Sequence, residues 1–141
     1  MNLTPNFSLE ELTRTDHREF DNTPPPEVVE NLKRLAQFME QVRSLLGVPI
    51  IVNSAFRSKQ VNDAVGSKDT SQHRLGCAVD FRCAGLTPDQ IVRRIRGSTL
   101  AFDQLIREFD RWTHISIPNV AGAAPRGQVL IIDKQGTRPY A

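Results

Sequence analysis

In the stretch Ser71-Gln72-His73-Arg74-Leu75-Gly76-Cys77-Ala78-Val79-Asp80, an aspartate stands inside an apolar run, seven residues after one of only three histidines. The run Cys77 to Arg82 has the composition of a strand, and a carboxylate there is costly to bury unless hydrogen bonds or a cation compensate it. A second histidine, His114, lies in another strand-like segment, Trp112 to Ile117. Strand alternation puts Cys77, Val79, Phe81 and Cys83 on one face and Ala78, Asp80 and Arg82 on the other. In the second segment Thr113, Ile115 and Ile117 share one face, and Trp112, His114 and Ser116 the other. With both apolar faces turned to the core, Asp80 and His114 emerge on the same open face. His73 enters from the preceding loop, which Gly76 allows to turn back. Two imidazoles and a carboxylate, with a fourth position left to water, is the composition of a catalytic zinc site holding one Zn2+. The plainer alternative is a buried Asp80 paired with Arg82 or Arg57, beside two unrelated histidines.

Around this stretch the chain reads as a single domain over residues 1–141, with helices early and strands late. Ser8-Leu9-Glu10-Glu11 has a capping pattern that opens a short helix to about Thr13. Thr15 to Thr23 is loop and contains His17, read as an exposed loop histidine with metal binding as the lesser alternative. Pro24-Pro25-Pro26 leads into the longest helix, whose Val28, Leu32, Leu35, Met39, Val42 and Leu46 recur at three- and four-residue steps. Gly47 is placed to end it. Val48 to Val52 reads as a strand delivering Ser54-Ala55-Phe56-Arg57-Ser58, Lys59 to Val65 as a short helix, and Ser67 to Gln72 as loop. Thr87-Pro88-Asp89-Gln90 opens a further helix through about Ile95. Phe102 to Phe109 and Trp112 to Ile117 are neighbouring strands joined by Asp110-Arg111. Pro118 to Gln128 is loop, Val129 to Ile132 a last strand, and Asp133 to Gly136 turns toward a polar end. This order predicts an α+β fold, a mainly antiparallel sheet with helices packed on one face.

Composition narrows the function classes. At 141 residues the chain can bury a real core, and 39% apolar with 24% charged residues is ordinary for a globular protein. The net charge is only +2, and the single tight basic cluster is Arg93, Arg94 and Arg96, which falls short of a nucleic-acid-binding stripe. No apolar run approaches the roughly 18 residues of a membrane span. Met1 to Asn6 has neither a basic nor an apolar leader region, so the expected location is the cytoplasm of the producing cell. Cys77 and Cys83, about 20 Å apart on one strand, are beyond disulfide reach and read as small buried side chains.

Ser71-x-His73-x-x-Gly76-x-Ala78-x-Asp80 followed by Trp112-x-His114 resembles the signature of the zinc D-Ala-D-Ala peptidase group. That group includes D-Ala-D-Ala carboxypeptidases and dipeptidases and phage-encoded L-alanyl-D-glutamate endopeptidases, and it shares its fold with hedgehog signalling domains. Ser54 to Ser58 resembles the group's arginine-bearing strand end. Phe7-Ser8-Leu9-Glu10-Glu11-Leu12 and the long helix resemble its small, phage-type single-domain members. The resemblance runs from about residue 7 to 117.

It implies that His73, Asp80 and His114 bind zinc, that Arg57 stabilises the oxyanion, and that Ser71 positions the substrate backbone. The plainer role for Arg57 is a salt bridge to a carboxylate such as Asp80 or Glu108. The mechanism also needs a carboxylate to take the proton of the attacking water and pass it to the leaving amine. Some members carry it three residues before the second histidine, where this chain has Arg111. Hedgehog-like and small phage-type members carry a glutamate six residues before it, which here is Glu108, with Asp110 as the alternative. The implied activity is hydrolysis of a peptide bond in the peptidoglycan stem peptide by a monomer, as endopeptidase or D,D-carboxypeptidase, in the manner of a phage lysis enzyme acting on the wall after release. The competing reading is a non-catalytic zinc-containing module of the same fold, serving cell-wall binding or virion structure.

Overall fold

A computed structural model describes residues 1–140. Asn2–Thr4 (β1) and Phe7–Ser8 (β2) form a short antiparallel ribbon, after which Leu9–Thr13 forms helix α1. The Ser8 hydroxyl accepts from the Glu11 N–H at 3.0 Å, so the expected cap is made. The ribbon adds to the sequence reading, since strands of three and two residues carry too little alternation to read.

Helix α2, Pro26–Leu46, begins on its proline pair and ends where Gly47 takes φ +72°, its N–H bonding back to the Arg43 carbonyl at 2.9 Å. Its buried face is the predicted stripe together with Ala36. Ile51–Ser54 (β3), Lys59–Ala64 (α3), Ala78–Arg82 (β4) and Pro88–Arg96 (α4) follow. Both arms of the cap on α4 form: Thr87 Oγ1 accepts from Gln90 N at 3.1 Å, and Gln90 Oε1 accepts from Thr87 N at 2.9 Å. Gln104–Glu108 (β5), Trp112–Ser116 (β6), Gln128–Asp133 (β7) and Gly136–Pro139 (β8) complete the chain.

Six strands form one sheet in the order β3-β4-β6-β5-β7-β8. Every pairing is antiparallel except β5 with β7, which is parallel because the long 118–127 segment carries the chain back before β7 starts. The sheet is therefore mixed but mostly antiparallel, and the architecture is α+β as expected. Helices α2 and α4 cover one face, where Leu32, Leu35, Met39, Ile91 and Ile95 pack with Val79, Phe81, Leu105 and Ile115 in a single core. Burying each such side chain contributes roughly 1.5–3 kcal/mol.

Several boundaries differ from the sequence reading for local reasons. Strand β3 begins at Ile51 rather than Val48, since Pro49 has no N–H to give a ladder. Residues Gln72–Leu75 form a 3-10 turn instead of continuing loop into strand. The β5–β6 connection is Phe109 to Arg111, with Phe109 and Asp110 both at φ 53°, a left-handed conformation that ends β5 at Glu108. Asp133 to Gly136 does not lead to a free polar end but folds β8 back on β7. Cys77 and Cys83 are free and buried.

Candidate active site

Strand register assembles the site. Asp80 on β4 lies directly opposite His114 on β6, and Ile106 on β5 lies opposite His114 from the other side. Paired residues share a face, so Asp80, His114, Ile106, Glu108 and Trp112 all stand on the face that α2 and α4 leave open. The 3-10 turn brings His73 to the same place. Ser71 Oγ starts this turn by accepting from the His73 N–H at 3.3 Å, and Gly76 ends it at φ +73°. A Cβ on Gly76 would stand 3.0 Å from Val28 Cγ1 and 3.1 Å from Leu32 Cγ, so the close approach of helix α2 adds to the left-handed backbone in favouring glycine there. The Arg57 N–H donates to the His73 carbonyl at 3.0 Å, which ties the end of β3 to the turn.

The donor atoms converge. Asp80 Oδ1 lies 2.9 Å from His114 Nδ1 and 3.3 Å from His73 Nε2, and the two rings meet edge to face with centroids 5.1 Å apart. His73 Nδ1 is 2.6 Å from the Ala55 carbonyl oxygen. A carbonyl only accepts, so Nδ1 carries the proton and Nε2 turns its lone pair to the site, the tautomer a metal ligand needs. All three side chains are buried, and one ligand atom from each lies within 4.8 Å of the others. Nitrogen and oxygen donors about 2.0–2.2 Å from a tetrahedral ion sit about 3.3–3.5 Å apart, so the set fits one metal ion. Burial opposes charge on Asp80, but the neighbouring imidazoles hold its carboxyl well below the usual aspartate range. Burial also pushes the His73 imidazole down, toward its neutral form.

The other predicted residues surround this group unevenly. Arg57 lies on the second oxygen of Asp80, with Nη2 3.0 Å from Oδ2, and its Nε donates to Ser54 Oγ at 3.1 Å. The salt bridge anticipated as the plainer role of Arg57 is therefore present, and it holds the guanidinium beside the histidines. Glu108 Oε1 lies 3.9 Å from His114 Nδ1, on a side chain only 16% exposed. Burial, and after it the Asp80 charge, push the Glu108 carboxyl up from the ordinary glutamate range. Asp110 is exposed in the turn and bonded to Arg107, which lowers its pKa. Of the two candidate bases, only Glu108 is brought to the His-Asp-His group. His17 is a partly exposed neighbour of Glu19 at 3.5 Å and stands outside that group.

A cleft of about 640 Å³ opens from His114 and Ser71 along the 118–127 segment. Its polar wall had no signal in the pattern of apolar residues. Gln72, an unremarked position between Ser71 and His73, donates from Nε2 to Asp103 Oδ2, to the Ile117 carbonyl and to Asn119 Oδ1 at 3.1, 3.0 and 2.9 Å. The Ala55 carbonyl was equally illegible, because any residue there supplies the same oxygen. Asp103 could have been flagged by the argument used for Asp80, as a carboxylate between Phe102 and the β5 strand.

The sequence profile of the Peptidase M15 family matches residues 5–116, a span that includes every residue of the His-Asp-His group. The protein belongs to this metallopeptidase family, whose fold is the hedgehog-like one. No curated protein matches the chain. No helix among the described residues is long and apolar enough to cross a membrane.

Proposed function

We propose that this protein is a single-domain, monomeric zinc peptidase that hydrolyses a peptide bond in the stem peptide of bacterial peptidoglycan. The observation that carries the proposal is the convergence of His73 Nε2 and His114 Nδ1 on Asp80 Oδ1, with the His73 tautomer set by the Ala55 carbonyl. His73, Asp80 and His114 would hold the zinc, which when bound polarises the scissile carbonyl and acidifies water.

The remaining work falls to the chain's own groups. Glu108, with its pKa raised by burial, takes a proton from the attacking water and returns it to the leaving nitrogen. Arg57, fixed by Asp80 and Ser54, offers its guanidinium to the developing oxyanion. Ser71 sits where the His73 turn meets the cleft, and its hydroxyl can receive a substrate backbone group. The resemblance to small phage-type peptidases supports a lysis enzyme that acts on the wall after release from the producing cell.

The test is release of peptide fragments from purified peptidoglycan, followed by mass spectrometry on a defined muropeptide to locate the bond. Wild-type protein should act, lose activity to a chelator and regain it with zinc. Glu108→Gln should lower turnover by about 10²–10⁴-fold and still bind one zinc. Wall binding that persists without zinc, with no fragment released, would favour the non-catalytic module.

A further inference from the structure

We infer that Arg126, clamped by Asp103 on the wall of the cleft, is a receptor for a free carboxylate of the substrate beside the scissile bond. This rests on the stem-peptide reading above and deepens it, since it states which chemical feature of the peptide is recognised.

The guanidinium is held as a built group. Its Nε lies 3.1 Å from both Asp103 oxygens, its Nη2 lies 2.7 Å from Oδ2, and the backbone N–H of the same residue donates to Oδ1 at 3.0 Å. Asp103 is buried, with a side chain 7% exposed, whereas Arg126 is 56% exposed and lines the cleft that also contains His114. One edge of the fork is thus committed to Asp103, while Nη1 has no protein acceptor among the described residues. A charge fixed in this way loses little side-chain freedom on binding an anion, which is where a flexible surface arginine loses affinity.

Asp103 also accepts from Gln72 Nε2 at 3.1 Å, which fixes the carboxylate and, through it, the direction in which the guanidinium points. Gln72 directly precedes the candidate ligand His73 and also holds the Ile117 carbonyl and Asn119. The Arg126 receptor and the His-Asp-His group are thereby fixed to one rigid frame, so a carboxylate on the first sets the register of a peptide across the second. The same cleft is lined by Ile106, Val120, Ala123 and Ala124, an apolar surface suited to the short side chains of an alanine-rich peptide. Stem peptides carry free carboxylates close to alanyl bonds, and a neutral peptide of the same length lacks the group that Nη1 would receive.

The test uses the full-length, zinc-loaded protein and one pair of synthetic stem peptides, with the glutamyl α-carboxyl either free or amidated. Calorimetry gives both dissociation constants for wild type, Arg126→Gln and Arg126→Lys. Wild type should bind the free acid at least about 10-fold tighter than the amide, a difference of about 1.4 kcal/mol. Arg126→Gln should bind the two alike, and Arg126→Lys should keep part of the preference. Zinc stoichiometry in each variant reports that the fold survives. Equal binding of both peptides by wild type, an undiminished preference in Arg126→Gln, or no binding of either peptide at millimolar concentration overturns the receptor. Cleavage is scored separately on the same pair, so a selective protein that cuts neither peptide sinks the peptidase reading and leaves the receptor standing.

Discussion

Replacing Gly76 by alanine should damage stability and the histidine site together. Two costs add at this position. The residue adopts φ +73°, and an L side chain in the left-handed region costs roughly 1–2 kcal/mol. The new methyl would also stand 3.0 Å from Val28 Cγ1 and 3.1 and 3.2 Å from Leu32 Cγ and Cδ2, inside ordinary contact distance. Overpacking of that kind costs about 1–3 kcal/mol when the neighbours cannot move away. Both neighbours are held by α2, Leu32 being fully buried, so little relief is available. The expected loss is about 2–5 kcal/mol, a large part of the roughly 5–15 kcal/mol that holds a domain together. Gly66→Ala is the control, since Gly66 has φ +76° with nothing within 4 Å of its would-be Cβ. It should show the backbone cost alone, roughly 1–2 kcal/mol. Urea denaturation of the three proteins measures the difference, and zinc titration measures whether the His73 turn has shifted. The reasoning is refuted if Gly76→Ala is no less stable than Gly66→Ala, or if it loses stability while its zinc affinity stays at the wild-type value.

Two further outcomes are expected. Arg57→Lys should lower kcat/KM by about 10²–10³-fold, because an ammonium cannot satisfy Asp80 and an oxyanion from one plane, with zinc affinity falling about 10-fold or less; wild-type kinetics in this variant would remove Arg57 from the mechanism. The Arg126 hydrogen bonds outweigh burial and hold the Asp103 carboxyl below its unfolded value of about 3.9. Between the folded and unfolded pKa values the unfolded chain binds the extra proton, so the contribution is complete only above about pH 5 and is lost as pH falls toward the folded pKa. Thermal unfolding from pH 6 to 2.5 should therefore show a decline below about pH 5 that is shallower in Asp103→Asn.

The α+β class and the open-face pairing of Asp80 with His114 were legible because both follow from a period-two pattern in two apolar segments. Helix α2 was legible for the same kind of reason, with Gly47 marking its end. What the pattern did not reach is long-range or backbone-borne. The parallel β5–β7 pairing depends on where an eleven-residue-scale loop returns, which no local periodicity encodes. The Ala55 carbonyl that sets the His73 tautomer has no side-chain signature. Gln72 was hidden in another way, because its three acceptors come from Asp103, Ile117 and Asn119, all remote in sequence. Choosing between Glu108 and Asp110 needed the turn itself, which sends one carboxylate to His114 and leaves the other with Arg107.

The family profile ends at Ser116, but the sheet does not. Strands β7 and β8 lie beyond it, and β7 occupies the outer side of β5 from Gln104 to Glu108. A chain trimmed to the matched span would keep His73, Asp80 and His114 yet uncover the whole hydrogen-bonding edge of the strand that carries Glu108. Such an edge invites a strand from another molecule. The first symptom of trimming should accordingly be concentration-dependent self-association, seen before any loss of metal, because the C-terminal hairpin is what covers the β5 edge.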